Sequence, residues 1–113
     1  MQSVGMMIAS AKHYLANEQE IQRTRISSEV DIRTLHEIYL PPFKASVEAG
    51  VGSVMCSYNK INGIYACENS DTQNDILKGE LGFKGWIVSD WNATHSTIES
   101  ALGGLDMEMP VGV

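Results

Sequence analysis

The sequence predicts an α/β fold, and within that class an incomplete parallel barrel of the eight-fold (β/α) type. Three observations lead there. Short apolar runs recur with a helical stretch between each pair, in the order strand, helix, strand, helix, strand, helix, strand. Most of these runs are continuously hydrophobic, which suits strands covered by helices, whereas a half-solvated sheet would alternate. No GxGxxG or GxxxxGK turn follows any of them, so the two commonest nucleotide-binding versions of the architecture lose their main support. A closed barrel of this kind needs ~250 residues. A chain of 113 residues is therefore expected to be a piece of a larger enzyme.

Residues 6 to 14, MMIASAKHY, give the first strand, an apolar run that ends in polar groups. Asp31 to Ala49 carries Leu35, Ile38, Tyr39, Phe43 and Val47 at near-helical spacing. Pro41 and Pro42 divide it into two short helices, the second opening at the prolines and closing at Gly50. VGSVMCSY, 51 to 58, is the second strand, and NKINGIYACEN reads as a loop from its Asn and Gly content. Ser70-Asp71-Thr72-Gln73 has capping-box spacing for a helix through Ile76, Leu77 and Leu81 that stops at Gly82. WIVSDW, 86 to 91, is the third strand, and a helix is expected from about Ser96 to Leu102, ended by Gly103 and Gly104. GLDMEMP then alternates Leu105, Met107 and Met109 with Asp106 and Glu108, which predicts a fourth strand.

Composition narrows the function. Fourteen acidic against eight Lys and Arg residues give a formal charge of −6 without a basic cluster, which argues against a nucleic-acid partner. No apolar window approaches the ~20 residues of a membrane span, and the first residues lack the pattern of a secretory signal. Cys56 and Cys67 have neither zinc-site spacing nor histidine company, which leaves one local disulfide or two buried thiols. No pair of histidines has ligand spacing, so no metal is expected.

In parallel α/β barrels the chemistry sits at the C-terminal ends of the strands. Those ends read Lys12-His13-Tyr14, Met55-Cys56-Ser57-Tyr58, Ser89-Asp90-Trp91 and Asp106-Met107-Glu108. Alternation places Trp86, Val88 and Asp90 on one face, so the buried run aims a carboxylate at the top of an apolar column. A carboxylate beside an indole suits carbohydrate chemistry, because sugars present C–H faces to aromatic rings and an anionic oxygen can attack the anomeric carbon. The plainer alternative is that Asp90 caps the next helix and Trp91 packs. Lys12 as a snorkelling lysine, His13 at a loop edge, Met55 as core filler and Tyr58 as a rim aromatic are equally plain readings. His36, Glu37 and His95 are expected to be solvated or capping residues, and the sequon Asn92-Ala93-Thr94 is a short match at the expected mouth of the site.

KHYLANEQE at 12 to 20, LHEIYLPPFKASVEAGVGSVMCSYNKING at 35 to 63, NDILKGELGFKGWIVSDW at 74 to 91 and SALGGLDMEMP at 100 to 110 resemble glycoside hydrolase family 3, specifically its fungal β-glucosidases. The resemblance covers nearly the whole chain. It implies that residues 1 to 113 are the second half of a TIM-type (β/α)8 barrel, a partial N-terminal domain, with the acid/base-bearing C-terminal domain absent. It further implies a retaining exo-β-glucosidase acting on terminal non-reducing β-D-glucose of cello-oligosaccharides or other β-glucosides, without cofactor or metal. Asp90 takes the place of the nucleophile. Lys12 and His13 fall on the glucose hydroxyls, Met55 and Trp91 against the sugar surface, and Tyr58 close to the nucleophile, with Lys12 as the cation expected to favour the ionised carboxylate. Neighbouring strand residues point to opposite faces, so Lys12 and His13 reach one sugar only if the backbone departs from strand geometry, and a cis peptide is expected between them. The family is largely secreted, which would permit a Cys56–Cys67 bridge stapling the rim that holds Tyr58. The expected partners are the substrate and the remainder of the full-length polypeptide. The alternatives are a truncated, non-catalytic sugar-binding remnant, and a β-xylosidase or N-acetylglucosaminidase of the same broad family.

Overall fold

The structure, a computed structural model, describes residue 5 and residues 7 to 110. Its centre is a parallel sheet of three strands in sequence order: β1 (Ser10–Tyr14), β3 (Ser53–Cys56) and β6 (Trp86–Ser89). The expected strands are thus shorter than the apolar runs that announce them, and Met6 lies outside the described residues. β3 and β6 pair without interruption, Ser53 with Trp86, Val54 with Ile87, Met55 with Val88 and Cys56 with Ser89. β1 follows β3 at Ser10 and Ala11 and then slips, so that Tyr14 lies beside Cys56.

Register and alternation sort the side chains into two faces. Ala11, Tyr14, Val54, Cys56 and Ile87 share a face and join one core with Leu35, Leu40, Ile76, Leu77 and Phe83 from the segments packed over it. Met55, Trp86 and Val88 lie on the opposite face. Trp86 is exposed there, and Val88 stands apart from that core. Tyr14 bridges the covered side: its ring meets Phe43 edge-on at 4.8 Å, and its hydroxyl donates to the Thr72 carbonyl at 2.7 Å. Burial, with a smaller contribution from Glu80, pushes the Tyr14 phenol well above its ordinary range, so it stays a donor.

The helical cover begins with α1 (Ile32–Thr34), capped by Asp31, whose carboxylate accepts from the Thr34 amide at 3.0 Å. It widens into a π-turn over Leu35–Tyr39, and α2 (Pro41–Glu48) opens at the prolines as expected. A proline at the first helical position forgoes an amide that has no intrahelical partner there. The next long helix, Asp71–Glu80, is wound as a π-helix, and α3 spans Ile98–Leu102. Gly50 and Gly82 both end their helices with positive φ.

Three expectations are corrected, and one pairing is new. Ser70 does not cap: its backbone is already helical, its hydroxyl accepts from the Asn74 side chain, and Asn69 Oδ1 takes the Thr72 amide instead. The expected loop at 59 to 69 contains a hairpin, β4 (Lys60–Ile61) and β5 (Ile64–Tyr65), turned by Asn62 and Gly63 at φ of 50° and 89°. Asn-Gly is the pair that accepts two successive positive φ values. β4 also pairs in parallel with β2 (Ser27–Ser28), in a stretch to which the periodicity assigned nothing. The expected fourth strand is reduced to a single bridge between Val88 and Met107. Side chains take the amides on either side of that bridge: the Asp106 carboxylate, paired with Lys78 at 2.9 Å, accepts the Ile87 amide, and the Ser89 hydroxyl accepts the Met109 amide.

His36 ties the first helical layer to the second. One ring nitrogen lies 2.9 Å from the Ile32 carbonyl and the other 3.1 Å from Glu80, and these bonds raise its pKa, the first contributing most. A raised folded pKa means that this stabilisation is complete below the unfolded histidine value of ~6.5 and is lost as pH rises through the folded value. Thermal melts of the parent and His36→Ala across this range should therefore show a gap that is widest at acidic pH and narrows on the alkaline side.

Candidate active site

The ladder between β3 and β6 runs one step beyond the strands, where the Asp90 amide donates to the Cys56 carbonyl at 3.2 Å. That bond fixes the backbone from which the Asp90 side chain leaves, on the face shared with Val88. Two hydrogen-bond donors and one imidazole then meet the carboxylate. The Trp91 amide donates to Oδ1 at 2.7 Å, the Tyr58 hydroxyl donates to the same oxygen at 3.1 Å, and His13 Nε2 lies 3.3 Å from Oδ2. The Asp90 side chain is only 14% exposed and His13 30%, so these contacts act with limited screening. Asp90 therefore makes a local turn with its own neighbour and does not cap the next helix.

Burial raises the Tyr58 pKa first, and the hydrogen bond to Asp90 and the carboxylate charge add to it. The phenol is thereby kept as a donor. Hydrogen bonds to ionised groups contribute about 1.5–3 kcal/mol each, enough for Tyr58 and the Trp91 amide together to hold one carboxylate orientation.

His13 reaches Asp90 from the end of β1, where the Lys12–His13 and Tyr14–Leu15 peptides are both cis. Lys12 is exposed, and His13 Nε2 stands 3.3 Å from Asp90 Oδ2. Lys12 and His13 together border a cleft of about 510 Å³ that Asn17, Glu18, Tyr39 and Phe43 also line. Met55 is half-buried on the Asp90 face, and Trp91 is 49% exposed. Asp106 is committed to Lys78 and the Ile87 amide, and Glu108 is exposed. Among the described residues no three His, Cys, Asp or Glu side chains gather as metal ligands.

Several contributors were invisible to spacing arguments. Arg23 lies over the Tyr58 ring, 4.7 Å from its centroid, and is itself held by Glu20 at 2.7 Å. The Ser57 hydroxyl accepts from the Leu15 amide at 2.9 Å, and buried Asn59 donates to the Leu15 carbonyl at 3.1 Å. Serine and asparagine after a strand are ordinary turn residues in sequence, and nothing in the pattern around Arg23 points to Tyr58. Cys56 and Cys67 form a disulfide that closes the segment carrying Tyr58. Closing a loop of this size constrains the unfolded chain by roughly 3 kcal/mol.

The chain resembles known proteins in sequence and in fold. The family profile described as "Glycosyl hydrolase family 3 N terminal domain" matches residues 1–108. The chain is 64% identical to "Probable beta-glucosidase L" of Emericella nidulans over 97% of its own length, and 62% identical to "Beta-glucosidase cel3A" of Pyricularia oryzae over 96%. It spans 15% of each of those relatives. Among solved structures it resembles the beta-D-glucoside glucohydrolase from Trichoderma reesei with a TM-score of 0.90 at 56% identity, over 91% of this chain and 14% of that one. DesR, a beta-glucosidase from Streptomyces venezuelae solved in complex with D-glucose, gives a TM-score of 0.90 at 44% identity over 95% of this chain and 14% of its own.

The disulfide makes a direct prediction. Alkylation of the unfolded, unreduced protein should leave Cys56 and Cys67 unmodified in mass spectra, and Cys67→Ala should lower stability by about 2–3 kcal/mol in denaturant melts. Two free thiols in the unreduced protein would contradict the pairing.

Proposed function

The chain belongs to the N-terminal domain family of the family 3 glycosyl hydrolases, and from that premise we propose that it supplies the nucleophile and much of the glucose subsite of a retaining exo-β-glucosidase. The observation that carries the proposal is the Asp90 carboxylate, fixed at a strand end by the Tyr58 hydroxyl and the Trp91 amide, with His13 beside it. Oδ1 accepts two hydrogen bonds and Oδ2 only the approach of His13, so Oδ2 is the oxygen better placed to attack.

In this reading Oδ2 of Asp90 attacks the anomeric carbon of a terminal non-reducing β-D-glucosyl unit while the bond to the aglycone oxygen breaks. A general acid gives its proton to that oxygen. Water then adds to the anomeric carbon, the ester to Asp90 breaks, and the deprotonated acid takes the proton, releasing glucose of retained configuration. Lys12 and His13 engage sugar hydroxyls, and Met55 and Trp91 offer apolar surface to the ring. No metal or cofactor enters the scheme.

We assign the acid to another part of the full-length polypeptide, as the family resemblance implies, and Asp106 is engaged with Lys78 and the Ile87 amide. The same reading completes the parallel sheet into a (β/α)8 barrel with segments outside these residues, which would cover the face bearing Trp86. Taken alone, these residues would bind sugar without turning it over. The disulfide supports placing the protein outside the cell, where such bonds persist.

In the complete polypeptide, Asp90→Ala should lower kcat on an aryl β-glucoside by about 10⁴-fold or more, and the parent should prefer the glucoside over the corresponding xyloside and N-acetylglucosaminide. Unchanged turnover in Asp90→Ala would remove the nucleophile assignment, and faster xyloside cleavage would change the sugar.

A further inference from the structure

We infer that His95 and Tyr65 form a positioning pair that holds the loop carrying Trp91 in register with Asp90. Its kinetic consequence rests on the proposal that Asp90 is the nucleophile, whereas its consequence for loop order does not.

The loop after β6 is tied down in two places. At its start the Ala93 amide donates to the Asp90 carbonyl at 3.0 Å, and the Asn92 amide to the Met109 carbonyl at 3.0 Å. Asn92 adopts a φ of 62° there, which reverses the chain direction. At its end the Ser96 hydroxyl donates to Glu68 Oε2 at 2.6 Å and accepts the Ser100 amide at 3.1 Å. Between Ala93 and Ser96 the Thr94 hydroxyl is buried without a partner. The contact that falls in this interval is the His95 ring, stacked on Tyr65 at 3.6 Å between centroids and 17° between planes.

Tyr65 is a firm anchor for such a contact. It closes the β4–β5 hairpin opposite Lys60, whose ammonium lies 4.8 Å from its ring centroid. Ala66 and Cys67, the next two residues, are buried, and Cys67 is bonded to Cys56. Cys56 is the register partner of Ser89, the residue before Asp90. One covalently closed segment therefore touches the site twice, through Tyr58 at the carboxylate and through Tyr65 at the far side of the loop. The stack sets one face of each ring against the other, and a misplacement of about 1 Å at a reacting group can cost 10²-fold in rate. His95 is exposed and makes its contact through its ring face, with no charge partner among the described residues, so another flat ring should serve in its place.

The test compares His95→Ala, His95→Phe and the double variant Tyr65→Ala with His95→Ala in the complete polypeptide. Hydrogen exchange at the amides of residues 92 to 96 should speed by about tenfold in His95→Ala, return toward the parent in His95→Phe, and be no faster in the double variant. On an aryl β-glucoside, kcat should fall by about tenfold in His95→Ala with little change in KM, and recover in His95→Phe. Unchanged exchange in His95→Ala, or a His95→Phe variant as loose as His95→Ala, overturns the inference. If exchange responds as described but the parent cleaves no glucoside, the positioning pair stands and the glucosidase proposal falls.

Discussion

The uninterrupted parallel pairing of β3 with β6 is the constraint on which the site depends, because it sets Cys56 beside Ser89 and so places the segments leaving both strands. The chain leaving β3 brings the disulfide and Tyr58, and the chain leaving β6 brings Asp90 and Trp91. A slip of one residue would turn Asp90 toward the helix-covered core and bury Trp86 in its stead. The buried faces oppose such a slip: Val54 and Ile87 are fully enclosed, and their burial is worth about 1.5–3 kcal/mol each.

Around that pairing, β1 plays a different part. It follows β3 for two residues and then departs from strand geometry, so that His13 reaches the carboxylate while Tyr14 remains in the core. Ser57 and Asn59 stabilise that departure by bonding the Leu15 backbone from the segment that also carries Tyr58. The polar groups at the carboxylate are thus held by other polar groups, while the apolar side of the same strands anchors the whole.

The sequence made some of this legible and concealed the rest for physical reasons. Continuous apolar runs located the three paired strands because burial on the helix side demands them, and Pro41, Gly50 and Gly82 marked helix ends through backbone geometry alone. The missed hairpin had a clear signal in Asn62-Gly63, overridden by a compositional reading of the surrounding loop. The overestimated fourth strand shows the limit of alternation: Asp106 fits the period, yet its carboxylate competes for the Ile87 amide. Arg23 and His95 left no trace in spacing, since their partners, Tyr58 and Tyr65, are brought to them only by the fold. The family resemblance supplied roles for Asp90, Lys12 and His13 that periodicity could not. The geometry adds a close approach of His13 to Asp90 that neither periodicity nor the resemblance specified.

The proposed mechanism turns on which atom would receive the sugar. Incubating the complete polypeptide with a 2-deoxy-2-fluoro-β-glucoside bearing a good leaving group, then mapping the modified peptide by mass spectrometry, addresses this directly. A nucleophilic Asp90 predicts one fluoroglucosyl adduct, carried on its own carboxylate. A stable adduct on any other residue would contradict that role.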